Sequence, residues 1–198
     1  MYDDIHSYWQ EIGSLVRLMP LDEIAAAADL LLDCYTTGGT VFVLGNGGSA
    51  ATASHFVCDL AKGSRVADAP PFRVVALTDN VPLLTAWGND ESYERIFAEQ
   101  LAPLLRPGDL VVAISASGSS PNVLAAAALA RDSGAAVIAL TGATGGQLRW
   151  LADLAILVPS PTIEQVEDAH LIIAHSLCVA LREQLRTQAT TLARELGR

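Results

Sequence analysis

Two short stretches of this chain could grip an anion. Gly45-Asn46-Gly47-Gly48-Ser49 directly follows the apolar run Val41–Leu44, and Ala50–Leu60 reads as a helix. A strand, a tight glycine turn and a helix start leave unpaired backbone N–H groups aimed at one point, which favours negative charge there. The pattern returns once, where Leu110–Ile114 leads into Ser115-Ala116-Ser117-Gly118-Ser119-Ser120 and then Pro121. One serine would cap the following helix. Four hydroxyls within six residues exceed that need and make a neutral, donor-rich cradle for the terminal oxygens of a phosphate monoester. Ser49 approaches it from the first loop.

A second group could bind a metal or move a proton. His55 and Asp59 stand at i and i+4 on the helix after the first loop. That spacing puts both on one face, about 6 Å apart at Cβ, which suits either a divalent ion or a plain helix-surface contact. Glu167, Asp168, His170 and His175 interrupt an otherwise apolar helical segment. Polar groups there must face solvent, pair with one another or bind something, because isolated burial is costly.

Gly45-Asn46-Gly47-Gly48-Ser49-Ala50 also fits the dinucleotide pattern G-x-G-x-x-A. That fingerprint needs an acid about 20 residues on, at the end of the second strand. Asp68 lies in a Pro-rich loop before that strand and Asp79 comes too late, so no nucleotide cofactor is expected.

The elements around these residues are legible. Helices are expected over 3–18 and 21–37, separated by Pro20, with Leu21, Ile24, Ala25, Ala28, Leu31 and Leu32 on one face of the second. Strand-like runs follow at Val41–Leu44, Phe72–Leu77, Leu110–Ile114, Ala135–Leu140 and Leu154–Val158, each separated from the next by helix. Continuous apolar character indicates strands covered on both faces. The fold class is therefore α/β, a three-layer sandwich with a five-stranded parallel sheet, extra N-terminal helices and a last helix over about Ile163–Leu185. Ligands of such sheets bind beyond the carboxyl ends of the strands, where both loops fall.

The 198 residues fit a single domain with a sizeable core. No apolar run is long enough for a membrane span, and Met1-Tyr2-Asp3-Asp4 is acidic where a signal peptide is basic. Cys34, Cys58 and Cys178 are widely spaced and read as small buried hydrophobes. The expected location is the cytoplasm. A net charge of −10 argues against a nucleic-acid surface and means that a phosphate must be held locally, by amides and hydroxyls.

G-N-G-G-S followed by S-x-S-G-x-S resembles the SIS (sugar isomerase) domain. His55-Phe56 with Asp59, the segment Trp87-Gly88-Asn89-Asp90, and Glu167-Asp168-Ala169-His170 with His175 resemble its phosphoheptose isomerase group, over about Ile24–Leu185. The resemblance implies an aldose–ketose isomerase that converts sedoheptulose 7-phosphate to a heptose 7-phosphate through an enediol(ate). It also implies zinc, one per active site, on His55, Asp59, Glu167 and His175, and a homotetramer with active sites at subunit contacts. Residues 1–37 would then pack on the domain or on partner subunits.

Carried over by residue, Gly47, Gly48, Ser49, Ser115, Ala116, Ser117 and Ser120 hold the phosphate, while Asn46, Asn89 and Asp90 read sugar hydroxyls. Asp59 and Glu167 also contact substrate, and Asp59 and His175 form the proton-transfer pair. Eight residues of helix separate Glu167 from His175, about 12 Å of rise and some 80° of turn. One chain therefore struggles to bring both to one ion, and His170 is a spare imidazole. The chain departs from the family at Asp59, usually Glu; at Glu167, usually Gln; at Ala116, usually Thr; and at Gly63, where an arginine is common. Two other readings use the same fold: a non-catalytic partner of a replication initiator, and a sugar-phosphate sensor.

Overall fold

The computed structural model describes residues 1–67 and 69–195, with side chains as far as Thr191, so Asp68 lies outside the described residues. Helices α1 (Tyr2–Leu15) and α2 (Leu21–Thr36) come first, joined by a 3₁₀ turn over Val16–Leu18. Pro20 stands immediately before α2, where its fixed φ and missing N–H do no harm. The core then alternates β1 (Thr40–Gly45), α3 (Gly48–Cys58), β2 (Arg73–Ala76), α4 (Val81–Asp90), α5 (Ala98–Leu101) and β3 (Leu110–Ser115). It continues with α6 (Pro121–Asp132), β4 (Ala136–Gly142), α7 (Leu148–Leu151), β5 (Leu154–Val158) and α8 (Ile163–Glu195).

The strands form one five-stranded sheet in the order β2-β1-β3-β4-β5, every neighbouring pair parallel. Alternate residues of each strand feed two separate cores. Val41, Val43, Val112 and Ile138 pack on one face with Leu31 of α2, Phe56 of α3 and Ile173 of α8. Phe42, Leu44, Val111 and Val137 pack on the other with Val123 and Ala127 of α6 and Leu148 of α7. Covering both faces is what makes the strands read as unbroken apolar runs.

The chain leaves β1 toward β2 at one edge, then returns to place β3 on the other side of β1. The strand order reverses between β1 and β3, and in open α/β sheets the crevice at that point takes the ligand. Both candidate phosphate loops flank it.

Helix α8 runs ten residues past the expected Leu185. The apolar periodicity stops there, but helix-forming residues and ion pairs such as Arg186–Glu183 (2.6 Å) carry the helix on. Cys34 and Cys178 are buried as expected, whereas Cys58, at the end of α3, is exposed. No helix among the described residues is long and apolar enough to cross a membrane.

Candidate active site

The first loop leaves β1 at Gly45, the ladder partner of Ile114 on β3. A methyl group at Gly45 would fall 2.7 Å from Ser49 Cβ and 2.9 Å from the Ile114 carbonyl, so only glycine lets α3 start so close to the sheet. Helix α3 begins at Gly48, with Ser49 buried in its first turn. Facing it, Ser115 Oγ lies 3.4 Å from Ser117 Oγ and 3.2 Å from Ser120 Oγ, so three hydroxyls converge, and the Ser119 N–H donates to Ser117 Oγ at 3.2 Å. Ala116, between them, contributes its backbone: its carbonyl accepts from the Gly142 N–H at 2.9 Å. Gly118 has φ +62°, and a Cβ there would land inside the Gly145 carbonyl. The serine loop is thereby pressed onto the β4–α7 turn, with the Leu148 N–H donating to the Gly118 carbonyl at 2.9 Å.

Helix α3 carries a second constellation at its far end. Thr52, Ala53 and Phe56 face inward and fix its rotation, which turns His55 and Asp59 toward α8. There they meet His175. The Nε2 atoms of His55 and His175 are 3.1 Å apart, and each lies 3.5 Å from Asp59 Oδ2. One ligand atom from each residue lies within 4.8 Å of the others. Zinc bonds of about 2.0–2.1 Å in a tetrahedron hold donors about 3.3 Å apart, so these separations fit such an ion. Two imidazoles and a carboxylate are also a catalytic rather than a purely structural donor set. Asp59 opens a π-helical turn, Asp59–Gly63, of the kind often found at functional sites.

Glu167, the expected fourth ligand, is not in this group. Its carboxylate lies against Gly48, where a methyl group would come within 2.5 Å of Oε1, so it stands beside the first loop. The separation along α8 has its expected consequence: within one chain His175 reaches the cluster and Glu167 does not. His170 is no spare ligand either. It is buried, its Nε2 lies 3.2 Å from the Thr141 carbonyl, and Nδ1 has no partner among the described residues. Burial lowers its pKa to about 4, partly offset by the Thr141 hydrogen bond, so it stays neutral.

Asn89 and Asp90 close α4, exposed, with the Asn89 amide donating to Asp90 Oδ1 at 2.8 Å. Asn46 is held mainly within the protein. It exchanges two 2.8 Å hydrogen bonds with Asn122, and its Oδ1 also accepts from the Tyr93 hydroxyl at 3.0 Å. Asn122, Tyr93 and Arg182 escaped the sequence reading. Arg182 Nη1 donates to the Gly63 carbonyl at 3.2 Å and steadies the turn after Asp59. Nothing in the local sequence reveals these three, since each partner lies on another element.

A family model described as the SIS domain matches residues 7–142. A phosphoheptose isomerase from Rhodospirillum rubrum is 40% identical over 187 residues, 93% of this chain and 99% of that protein. The lincomycin biosynthesis protein LmbN of Streptomyces lincolnensis is 40% identical over 186 residues, covering 89% of this chain and 68% of that one. The solved phosphoheptose isomerase GmhA from Neisseria gonorrhoeae superposes with a TM-score of 0.86 at 31% identity, over 92% of this chain and 98% of that one. The chain belongs to the SIS domain family, in its phosphoheptose isomerase group.

Proposed function

We propose that the chain converts sedoheptulose 7-phosphate to a heptose 7-phosphate by proton transfer between C1 and C2. The observation that carries this reading is that α3 starts at a phosphate-type loop and ends at a cluster of His55, Asp59 and His175. One rigid element thus spans from an anchor to a proton-transfer group. The N–H groups of Gly47, Gly48 and Ser49 and the hydroxyls of Ser49, Ser115, Ser117 and Ser120 hold the phosphate, with Ala116 shaping the loop. Asn89 and Asp90 orient the sugar hydroxyls.

Asp59 takes a proton from C1, exchanges it with solvent and delivers a proton to C2, while His175, 3.5 Å away, serves the oxygens as partner acid. His55, Asp59 and His175 would hold one zinc ion, which when bound supplies positive charge to polarise the substrate's oxygens. Glu167 faces the phosphate end of the substrate. The retained histidine and carboxylate set favours catalysis over initiator binding or sensing.

The exposed apolar residues Tyr2, Ile5 and Trp9 of α1 and Ile172 and Val179 of α8 support a homotetramer in which residues 1–37 contact partner subunits. Three free cysteines fit the cytoplasm. Turnover in D₂O tests the chemistry. Deuterium at C2 of the product, lost together with turnover in Asp59→Asn, is the expected result. An Asp59→Asn variant that keeps near-normal turnover would contradict Asp59 as the base.

A further inference from the structure

We infer that Asn122 is a positioning residue of the phosphate site, its amide holding the glycine loop at a fixed distance from the serine loop. This rests on the reading that both loops grip one phosphate. The loops are rooted at the ladder pair Gly45 and Ile114. Beyond that root, among the described residues, the side-chain hydrogen bonds that cross from one loop to the other are those between Asn46 and Asn122.

Asn122 is the second residue of α6, immediately after the serine loop, and is 1% exposed. Its Nδ2 donates to Asn46 Oδ1 and its Oδ1 accepts from Asn46 Nδ2, both at 2.8 Å. The same Oδ1 accepts from the Val123 N–H at 3.0 Å, which fixes the rotation of the amide plane. On the other side, Asn46 Oδ1 takes a further bond from Tyr93, three residues beyond α4. Asn46 therefore has both lone pairs of its oxygen and one amide proton engaged. Turning it toward a sugar hydroxyl would strand the buried Asn122 amide, and stranding a buried polar group is costly.

Asn46 thus acts through Asn122, and the pair sets how far the N–H groups of Gly47–Ser49 stand from the hydroxyls of Ser115–Ser120. A phosphate needs both sets at once, so a loosened span weakens its binding before it touches the chemistry at Asp59. A sugar-reading Asn46 would behave differently, because inorganic phosphate has no sugar to read.

Calorimetric titration of inorganic phosphate into the wild type, Asn46→Ala, Asn122→Ala and the double variant separates the two roles. Each single variant is expected to weaken phosphate about tenfold, and the double no further, since both break one unit. Their KM for sedoheptulose 7-phosphate should rise in parallel while kcat changes little. Phosphate affinity within twofold of wild type in Asn46→Ala, or additive losses in the double variant, would overturn the inference. Should Asn122→Ala fail to fold, Asn46→Ala, at a half-buried position, and Tyr93→Phe, at an exposed one, carry the same comparison. The titration needs no turnover. A wild type that binds phosphate without isomerising the sugar would overturn the proposed reaction alone. One that binds no phosphate would overturn the two-loop reading and this inference with it.

Discussion

His170 shows how a residue that looks chemical can be structural. Buried and neutral, it has a folded pKa of about 4 against 6.5 when free. Below pH 6.5 the unfolded chain gains a proton that the folded chain refuses. Its contribution is therefore complete above about pH 6.5 and is lost as pH falls toward 4, on the order of 3 kcal/mol in all. Urea unfolding between pH 7 and pH 4.5 should show a shallower fall for His170→Gln than for wild type, and equal slopes would refute the assignment. Glu167 poses the opposite question. Beside Gly48 it sets a negative charge near the proposed phosphate site, so Glu167→Gln should lower KM for the sugar phosphate about threefold. A tenfold loss of zinc affinity with KM unchanged would instead place Glu167 among the metal ligands.

At the scale of elements, the strands and the two loops were legible because their signals are local. An apolar run ending in Gly or Ser states both a buried strand and what lies at its end. The partners of the site residues were not legible. His170 meets a carbonyl 29 positions away and Asn46 an amide 76 positions away, distances that only the sheet order closes. Helical geometry did anticipate that Glu167 and His175 separate, because rise and rotation per residue are fixed. The serine loop depends on backbone contact that no other residue type permits. Gly118→Ala combines a positive φ with a clash against the Gly145 carbonyl, and should cost at least about 2 kcal/mol and abolish phosphate binding. Gly13→Ala, with open space around it in α1, should stabilise by about 0.5–1 kcal/mol. Thermal unfolding of the two variants checks both, and a neutral Gly118→Ala would contradict the proposed packing of that loop.

The whole molecule leaves apolar surface that a lone chain does not cover. Trp9 is 70% exposed on a helix in which only Leu15 is buried, and beneath α1 lies an apolar cavity of about 100 Å³ lined by Ile12, Leu15, Met19, Ile24 and Ile173. Sedimentation should give a particle near four times the 20.8 kDa of one chain, and Trp9→Glu should shift it toward smaller species. A monomeric wild type would remove the tetramer from the proposal. The charge of −10 acts on the same scale, since it repels a phosphate everywhere except where amides and hydroxyls gather. The most direct test joins that anchor to the cluster at the other end of α3. Purified protein is given sedoheptulose 7-phosphate with zinc, and separately with a chelator, and aldose phosphate is followed by NMR. Product that forms with zinc and stops with the chelator is the expected result, whereas a folded protein that binds the sugar phosphate but forms no product with zinc present would contradict it.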